Sequence, residues 1–459
     1  MNLSEHSARP EHPVRLLVSD DLQRSRLNVF FRLILSIPHF IWITLWGIAS
    51  VVVAVVNWFA TLIRARSPRI LHELLASYVK YVTHFYAYLH LAADPYPRFD
   101  GRAGYPIDLE VPAPERQSRL TVLVRGILLL PALLIVTVLF GNLNSRLSYG
   151  RSSVASYGAW SLLSVVAVLG WFAILARARM PRGLRDAAAY ALSYGAQFYA
   201  YAFLLTQRYP DSDPLAAVPG LPTRADPVRL ELADDLRRSR LTVFFRLLLA
   251  LPHLVWLTLW SVLAFLCAIV NWLATLFAGR SPQSLHRFLA AYLRYANHVY
   301  AFVHLIANPF PGFVGKAGSY PFEIVVAPPE RQNRWKTGFR IVLALPAFLV
   351  ASAYNALAYV VAVLGWFSSL ARGRMPRGLR NAGALALRYQ AQTHGYLLLL
   401  TDAYPYSGPL RGDGAPGERE VATGQPAPRG APVSPAPATP PPAPGPPDTP
   451  EARPDAGLS

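Results

Sequence analysis

Four short runs along the chain alternate apolar and polar residues with the two-residue period of a half-buried strand. They are Val14/Leu16/Val18, Ile107/Leu109/Val111, Val228/Leu230/Leu232 and Phe322/Ile324/Val326. Each leads into a hinge of carboxylates and arginines, clearest as Pro114-Glu115-Arg116-Gln117-Ser118-Arg119 and Pro329-Glu330-Arg331-Gln332-Asn333-Arg334. A long apolar stretch follows and ends in Trp58-Phe59, Trp171-Phe172, Trp272-Leu273 or Trp366-Phe367. Then comes a basic turn: Arg64-Ala65-Arg66-Ser67-Pro68, Arg177-Ala178-Arg179-Met180-Pro181, Gly279-Arg280-Ser281-Pro282 or Arg372-Gly373-Arg374-Met375-Pro376. The last segment is a tyrosine-rich helix stopped by proline at Asp94-Pro95-Tyr96-Pro97, Tyr209-Pro210, Asn308-Pro309-Phe310-Pro311 or Tyr404-Pro405, where the imide removes a donor and clashes with the preceding turn.

The recurrence is an internal repeat. Ser25-Arg26-Leu27-Asn28-Val29-Phe30-Phe31-Arg32, with Ile37-Pro38-His39 after it, returns as Ser239-Arg240-Leu241-Thr242-Val243-Phe244-Phe245-Arg246 with Leu251-Pro252-His253. Weaker copies run from Ser118 through Arg125 to Pro131 and from Asn333 through Arg340 to Pro346. The resulting organisation is a polar segment 1–13, then modules at 14–98, 99–214, 215–312 and 313–408, and a tail at 409–459. The second module carries a polar insertion, 141–157. Modules one and three are most alike, as are two and four, the mark of a module doubled and the pair doubled again. The tail is rich in Pro, Ala and Gly and cannot bury a core, so it is expected to be disordered. Its Pro435 to Pro447 run offers a polyproline surface to a protein partner, or is a plain solubilising tail.

Composition places this pattern in a membrane. The chain is 53% hydrophobic and only 15% charged, with mean hydropathy +0.27, too apolar for an ordinary soluble protein. The formal charge of +18 suits anionic headgroups rather than nucleic acid. The segment Met1 to Arg26 is polar and lacks the features of a signal peptide, so the N-terminus is expected in the cytoplasm.

No charged residue interrupts Arg32 to Arg64, Arg246 to Arg280 or Arg340 to Arg372. A straight helix of that length measures about 46 Å against a hydrocarbon core of about 30 Å. The insertion in module two, with Asn142, Asn144, Arg146 and Arg151, belongs at a turn rather than inside lipid. A tight helical hairpin in every module is therefore expected, about eight transmembrane segments in all. The alternative is a kink at Pro38, with an interfacial helix before it and a single tilted span after it. The hairpin puts the arginines Arg32, Arg64, Arg66, Arg125, Arg177, Arg179, Arg246, Arg280, Arg340, Arg372 and Arg374 at one membrane interface, the cytoplasmic one. Helix breaks are expected at Pro38, Pro131, Pro252 and Pro346, and at the turn prolines Pro68, Pro181, Pro282 and Pro376.

The tyrosine-rich helices carry polar residues at helical spacing, Glu73, Ser77, Lys80 and His84 in module one. Such a helix either lies in the headgroup zone or crosses the membrane with its stripe inside a bundle. In the second case Lys80, His84, Arg294, His298, Arg388 and Gln392 form a candidate polar path.

Chemistry is sparse. Glu73 and Asp186 sit near helix starts, where carboxylates answer the helix dipole. His72-Glu73 opens like a zinc-protease motif but lacks the second histidine four residues on. His84/His90 and His298/His304 fall on different helix faces. The lone Cys267 excludes an intramolecular disulfide framework. No phosphate-binding loop and no nucleophile elbow is present. No catalytic residue, cofactor or metal ligand is expected.

The combination of Ser-Arg-Leu, Phe-Arg and Pro-His with Trp171-Phe172-Ala173, Arg179-Met180-Pro181-Arg182-Gly183-Leu184, Arg374-Met375-Pro376-Arg377-Gly378-Leu379 and Tyr209-Pro210 resembles the bacterial membrane family called domain of unknown function 4389. The resemblance covers residues 14–406 as tandem copies, and module three departs from it with Gln283-Ser284 after its proline. It implies an integral membrane protein of actinobacterial type and brings no activity. The expected fold is an all-α polytopic helical bundle of four pseudo-repeats with a short strand before each module. The expected function is a non-enzymatic structural or lipid-organising component of the cytoplasmic membrane that binds anionic headgroups. The alternative is a channel or transporter built on the pseudo-twofold of two paired modules.

Overall fold

A short polar residue opens each apolar stretch. The Ser25 hydroxyl accepts from the Asn28 amide, and Asn333 Oδ1 accepts from the amides of Trp335 and Lys336, which satisfies donors that a helix start leaves unpaired. The computed structural model describes residues 12–141, 161–218, 220–222, 224 and 226–410.

Module one contains β1 (Arg15–Val18), α1 (Arg26–Leu35), α2 (Ile37–Arg64) and α3 (Arg69–Leu89). Module two contains β2 (Ile107–Glu110), α4 (Arg119–Leu123), α5 (Arg125–Phe140), α6 (Leu162–Arg177) and α7 (Arg182–Ala202), with the short α8 (Pro214–Ala217) after it. Module three contains β3 (Val228–Leu232), α9 (Arg240–Phe244), α10 (Arg246–Ala278) and α11 (Gln283–Val303). Module four contains β4 (Phe322–Val326), α12 (Arg334–Gly338), α13 (Arg340–Arg372) and α14 (Arg377–Leu397). The described part is thus mostly helical and repeated, with a short strand at each alternating run. The Pro-rich tail and nearly all of the polar insertion lie outside the described residues.

In modules one, three and four the helical hairpin is not what forms. α10 and α13 are each one unbroken helix of 33 residues, and in module one only Ser36 separates α1 from the 28-residue α2. The apolar stretches contain no turn chemistry, and Pro252 and Pro346 sit inside helices that continue past them. Pro131 likewise lies within α5, and Pro38 is in the first turn of α2. Pro68, Pro181, Pro282 and Pro376 start the third helices from their N-cap positions. The chain reverses one step earlier, at a left-handed residue: Ala65, Ala178, Gly279 or Gly373. Three helices, Ile37–Arg64, Arg246–Ala278 and Arg340–Arg372, are long and apolar enough to cross a membrane.

Modules interlock in pairs. β1 pairs antiparallel with β2 and β3 with β4, so each sheet joins two modules, with Leu16 opposite Leu109 and Leu230 opposite Ile324. The hinge of each module bridges the basic turn of its partner: Gln23 with Arg179, Arg66 with Arg116, Arg237 with Arg374, and Arg280 with Arg331. The strands pack on the third helices α3, α7, α11 and α14, and these pack on the long helices.

The two pairs meet through modules two and four, where α13 packs on α5 and α6. The start of α7 receives the chain after α14, and the start of α14 receives the chain after α7. Tyr406 donates to Asp186 at 2.6 Å, and the Asn381 amide donates to Asp213 at 2.8 Å. These contacts explain the Arg-Gly-Leu element. A Cβ on Gly183 would lie 2.8 Å from Ser407 Oγ and 3.1 Å from its backbone nitrogen, and one on Gly378 would lie 2.8 Å from Ser212 Oγ and 3.2 Å from the Asp213 nitrogen. Overpacking of this kind costs about 1–3 kcal/mol per site. Gly183→Ala and Gly378→Ala should each lower the melting temperature of detergent-purified protein, whereas Gly312→Ala, which meets open space, should not.

Candidate functional site

Near the start of each apolar stretch an arginine turns its side chain inward, Arg32 late in α1 and Arg125, Arg246 and Arg340 at the first residue of α5, α10 and α13. Arg32 Nη1 donates to the carbonyls of Tyr88 (2.7 Å) and Ala93 (3.1 Å), and Arg246 Nη1 to those of Phe302 (2.6 Å) and Ala307 (3.1 Å). Arg125 Nη1 reaches the carbonyls of Tyr201 (2.9 Å) and Thr206 (3.0 Å), and Arg340 Nη1 that of Thr401 (3.3 Å). All four guanidinium carbons lie 4.0–4.4 Å over an aromatic ring, of Tyr88, Tyr201, Phe302 or Tyr396. The second Nη meets Asp94 at 2.7 Å, the Gln117 carbonyl oxygen at 2.7 Å, Asn308 at 3.2 Å, or both Gln332 (2.6 Å) and Asp402 (3.1 Å).

The geometry answers a definite need. The last carbonyls of a helix lack partners, and beyond each third helix the chain turns through a leucine at positive φ, Leu91, Leu204, Leu305 or Leu399 (60–64°). That conformation costs an L-residue about 1–2 kcal/mol. In modules one to three the arginine ties the carbonyls on either side of the turn, and in module four it holds the Thr401 carbonyl beyond it. A second group helps it: in odd modules Arg24 and Arg238, held by Asp20 and Asp234 at 2.8 and 2.7 Å, donate to the Leu91 and Leu305 carbonyls. In even modules the Gln117 and Gln332 amides donate to the Leu204 and Leu399 carbonyls. Arg32, Arg125, Arg246 and Arg340 are therefore buried clamps, 1–3% exposed, and do not face an interface. The signal was present in the hinge, where Asp-Asp-Leu-x-Arg alternates with Glu-Arg-Gln, but its target lay some 60 residues away.

The exposed arginines are those of the turns. Arg64, Arg66, Arg177, Arg179, Arg280, Arg372 and Arg374 all reach the surface at the ends of long helices. Beside the first turn is a groove of about 810 Å³ lined by Arg66, Arg69, Lys80 and Glu73.

The six polar-stripe residues do not converge. His84 Nε2 meets Asp108 on β2 at 2.9 Å, and His298 Nε2 meets Glu323 on β4 at 3.1 Å, with Arg294 3.9 Å from the same carboxylate. Gln392 donates to the Val228 carbonyl, Arg388 donates to the Gly408 carbonyl, and Lys80 lines the groove just described. Two lie in one module pair and four in the other, and all but Lys80 fasten a third helix to nearby chain. Among the described residues no three His, Cys, Asp or Glu side chains gather as a metal site would require.

The long helices invert the polarity of a soluble fold. On α2 the buried residues are His39, Ser50, Asn57 and Thr61, while Ile48, Val52, Val55 and Phe59 are exposed. On α10 His253, Asn271 and Thr275 are buried and Val262, Phe265 and Phe277 exposed, Phe265 by 66%. The inward amides have work to do: Asn57 and Asn271 donate to the carbonyls of Phe203 and Leu398 in the partner module, and accept from Ser67 and Ser281. A continuous apolar surface of this extent marks a place where water is excluded by something else.

Two predictions follow from the clamps and the strand contacts. Arg340→Met strands buried carbonyls and should cost about 3 kcal/mol or more, against no measurable change for the exposed Arg374→Gln in the same thermal melt. Burial pushes the Asp108 carboxyl up, but hydrogen bonds from His84 and the amides of Gly104 and Leu109 outweigh it and hold the pKa below the usual range. A carboxyl depressed in the folded state stabilises fully above its unfolded pKa, about 4, and that contribution is lost as pH falls through the folded value. Asp108→Asn should therefore melt earlier at neutral pH and show a shallower loss of stability in acid.

Neither curated proteins nor solved structures yield a match to this chain. The family model described as a domain of unknown function, DUF4389, matches it four times, at residues 26–100, 152–212, 240–314 and 334–407. In modules one, three and four the match runs from the start of the first helical stretch to just past the third helix, and in module two it starts at residue 152, after α5. The chain belongs to the DUF4389 family, as four tandem copies in two interlocked pairs.

Proposed function

We propose that this protein is a non-enzymatic, lipid-organising component of the bacterial cytoplasmic membrane. The observation that carries the reading is the inverted polarity of α2 and α10, whose exposed faces are predominantly apolar, Thr44 and Thr258 being bonded back to their own helix, and whose His39, Ser50, Asn57, Thr61, His253, Asn271 and Thr275 point inward. Lipid tails are the partner that makes such a surface stable. Exposed arginines stand at the helix ends, where phosphate oxygens of anionic headgroups would meet them. The groove beside Arg66, Arg69 and Lys80 adds a second place for a headgroup, with net positive charge among its lining side chains. The interior offers bracing rather than catalysis: its buried charged groups are engaged on helix carbonyls, strands or each other.

The reading separates an apolar contribution from an electrostatic one. Replacing Arg64, Arg66, Arg280 and Arg372 together by glutamine should weaken flotation with vesicles containing anionic lipid and leave flotation with neutral vesicles unchanged. Each exposed cation near an anionic surface contributes about 1 kcal/mol, so the loss should be large at low salt and shrink as salt is added. Equal binding of wild type and variant to anionic vesicles at low salt would remove the headgroup role.

A further inference from the structure

The direction in which the apolar helices meet the bilayer can be read from what lies on the other side of them. The exposed apolar face of α10 runs from Leu247 to Phe277, about 45 Å at the helical rise. Crossing a hydrocarbon core of about 30 Å with that face covered needs a tilt of about 48°, beyond the usual 0–40° range. In module one the exposed apolar residues extend further, from Leu27 to Ile63.

The third helices point the same way. α3 turns Tyr78, Tyr81 and Phe85 toward α2, where Tyr81 meets His39 and Tyr78 meets Trp46. A separate face, one to two helical steps round, carries Arg69, Glu73, Lys80 and His84. Along that face the chain from Gly101 to Pro114 runs lengthwise. Gly101 lies so close to α3 that a side chain there would collide with the Ser77 carbonyl, Asp108 binds His84, and Pro114 accepts from Arg66. This layer bears exposed ion pairs all along: Arg69–Glu73, Arg102–Asp100 and Arg15–Glu110, the last 54% and 47% exposed. α3 is about 31 Å long, the thickness of the core. Were it to stand along the membrane normal, these charges would be spread through the hydrocarbon, at about 2.5–3.5 kcal/mol for each one near the centre. Module two adds that Gly141 and Ser161 touch at the junction of α5 and α6, beside Gly195 at the middle of α7 through Phe140. In a perpendicular orientation that junction, where the polar segment 142–160 enters and leaves, would sit at mid-bilayer depth.

We propose that the chain does not cross the bilayer but is seated in a single leaflet, with α2, α10 and α13 lying along the membrane plane and the strand layer in water. This refines the proposed function and rests on it, and it replaces the expectation of a multi-pass topology. It also gives the arginines a consistent place. Each long apolar helix has an exposed arginine near both ends, Arg26 and Arg64, Arg240 and Arg280, Arg334 and Arg372, and in-plane seating lets both ends reach phosphates of the same leaflet.

The test is sidedness at the two ends of one apolar stretch. In a Cys267→Ser background, single cysteines replace Arg26 or Arg64, and each variant is labelled with a membrane-impermeant maleimide in sealed, single-orientation vesicles from expressing cells. Both positions should label from the same side, as should a cysteine replacing Arg102 in the strand layer. Labelling of Arg26→Cys and Arg64→Cys from opposite sides would overturn in-plane seating while leaving the membrane reading intact. A chain that alkaline carbonate releases from the vesicles, or that is soluble as an oligomer with its apolar faces covered by copies of itself, would overturn both.

Discussion

A guanidinium buried at the end of each third helix is the contact on which the repeat is built. It satisfies carbonyls at a turn built on a positive-φ leucine, and it does so from the start of the apolar stretch, in α1 for module one and at the first residue of α5, α10 or α13 in the others. That pins the start of the long helix to the end of the third. The left-handed residue at the other end, Ala65 or its equivalents, pins the remaining termini together. With both ends fixed, two antiparallel helices can expose one flank to lipid without relying on hydrophobic contact between them, which is weak where the surroundings are themselves apolar.

Pairing of modules follows from the same economy of polar groups. The basic turn of one module bridges the hinge of the next, and Asn57 or Asn271 reaches the helix end of the partner. Backbone groups left open by one copy are closed by the other. Where the two pairs meet they are not exact copies: Asp186 faces Tyr406 on one side of the pseudo-twofold, and Asn381 faces Asp213 on the other. A carboxylate has changed places across the axis, so the junction keeps its hydrogen bonds without setting two acids against each other.

Much of this was legible in the order of residues, because period and repetition are local signals. The alternating runs became strands, the tyrosine-rich segments became helices, and the four-fold recurrence matched the modules. The hairpin was not legible, because its argument rested on bilayer thickness and on the insertion in module two. The unbroken α10 and α13 show only that the extra apolar length is not folded back. The clamps were missed for a related reason. Arg32 and Arg246 look like interface arginines in sequence, flanked by Phe31 and Leu33 or Phe245 and Leu247, and only the fold brings Tyr88 and Phe302 beneath them. Likewise His84 shares a stripe with Lys80, and His298 one with Arg294, yet each histidine is occupied by a strand from about 25 residues downstream.

The central claim is that the apolar helices lie along the bilayer rather than through it, and helix orientation can be measured directly. Because the long helices and the third helices that pack on them make up most of the helical residues, polarised infrared spectroscopy of the protein in aligned lipid bilayers reports their net orientation through the amide I dichroism. The account predicts transition moments concentrated in the membrane plane, the dichroism of helices lying flat. Dichroism along the membrane normal, as for an upright bundle, would contradict it.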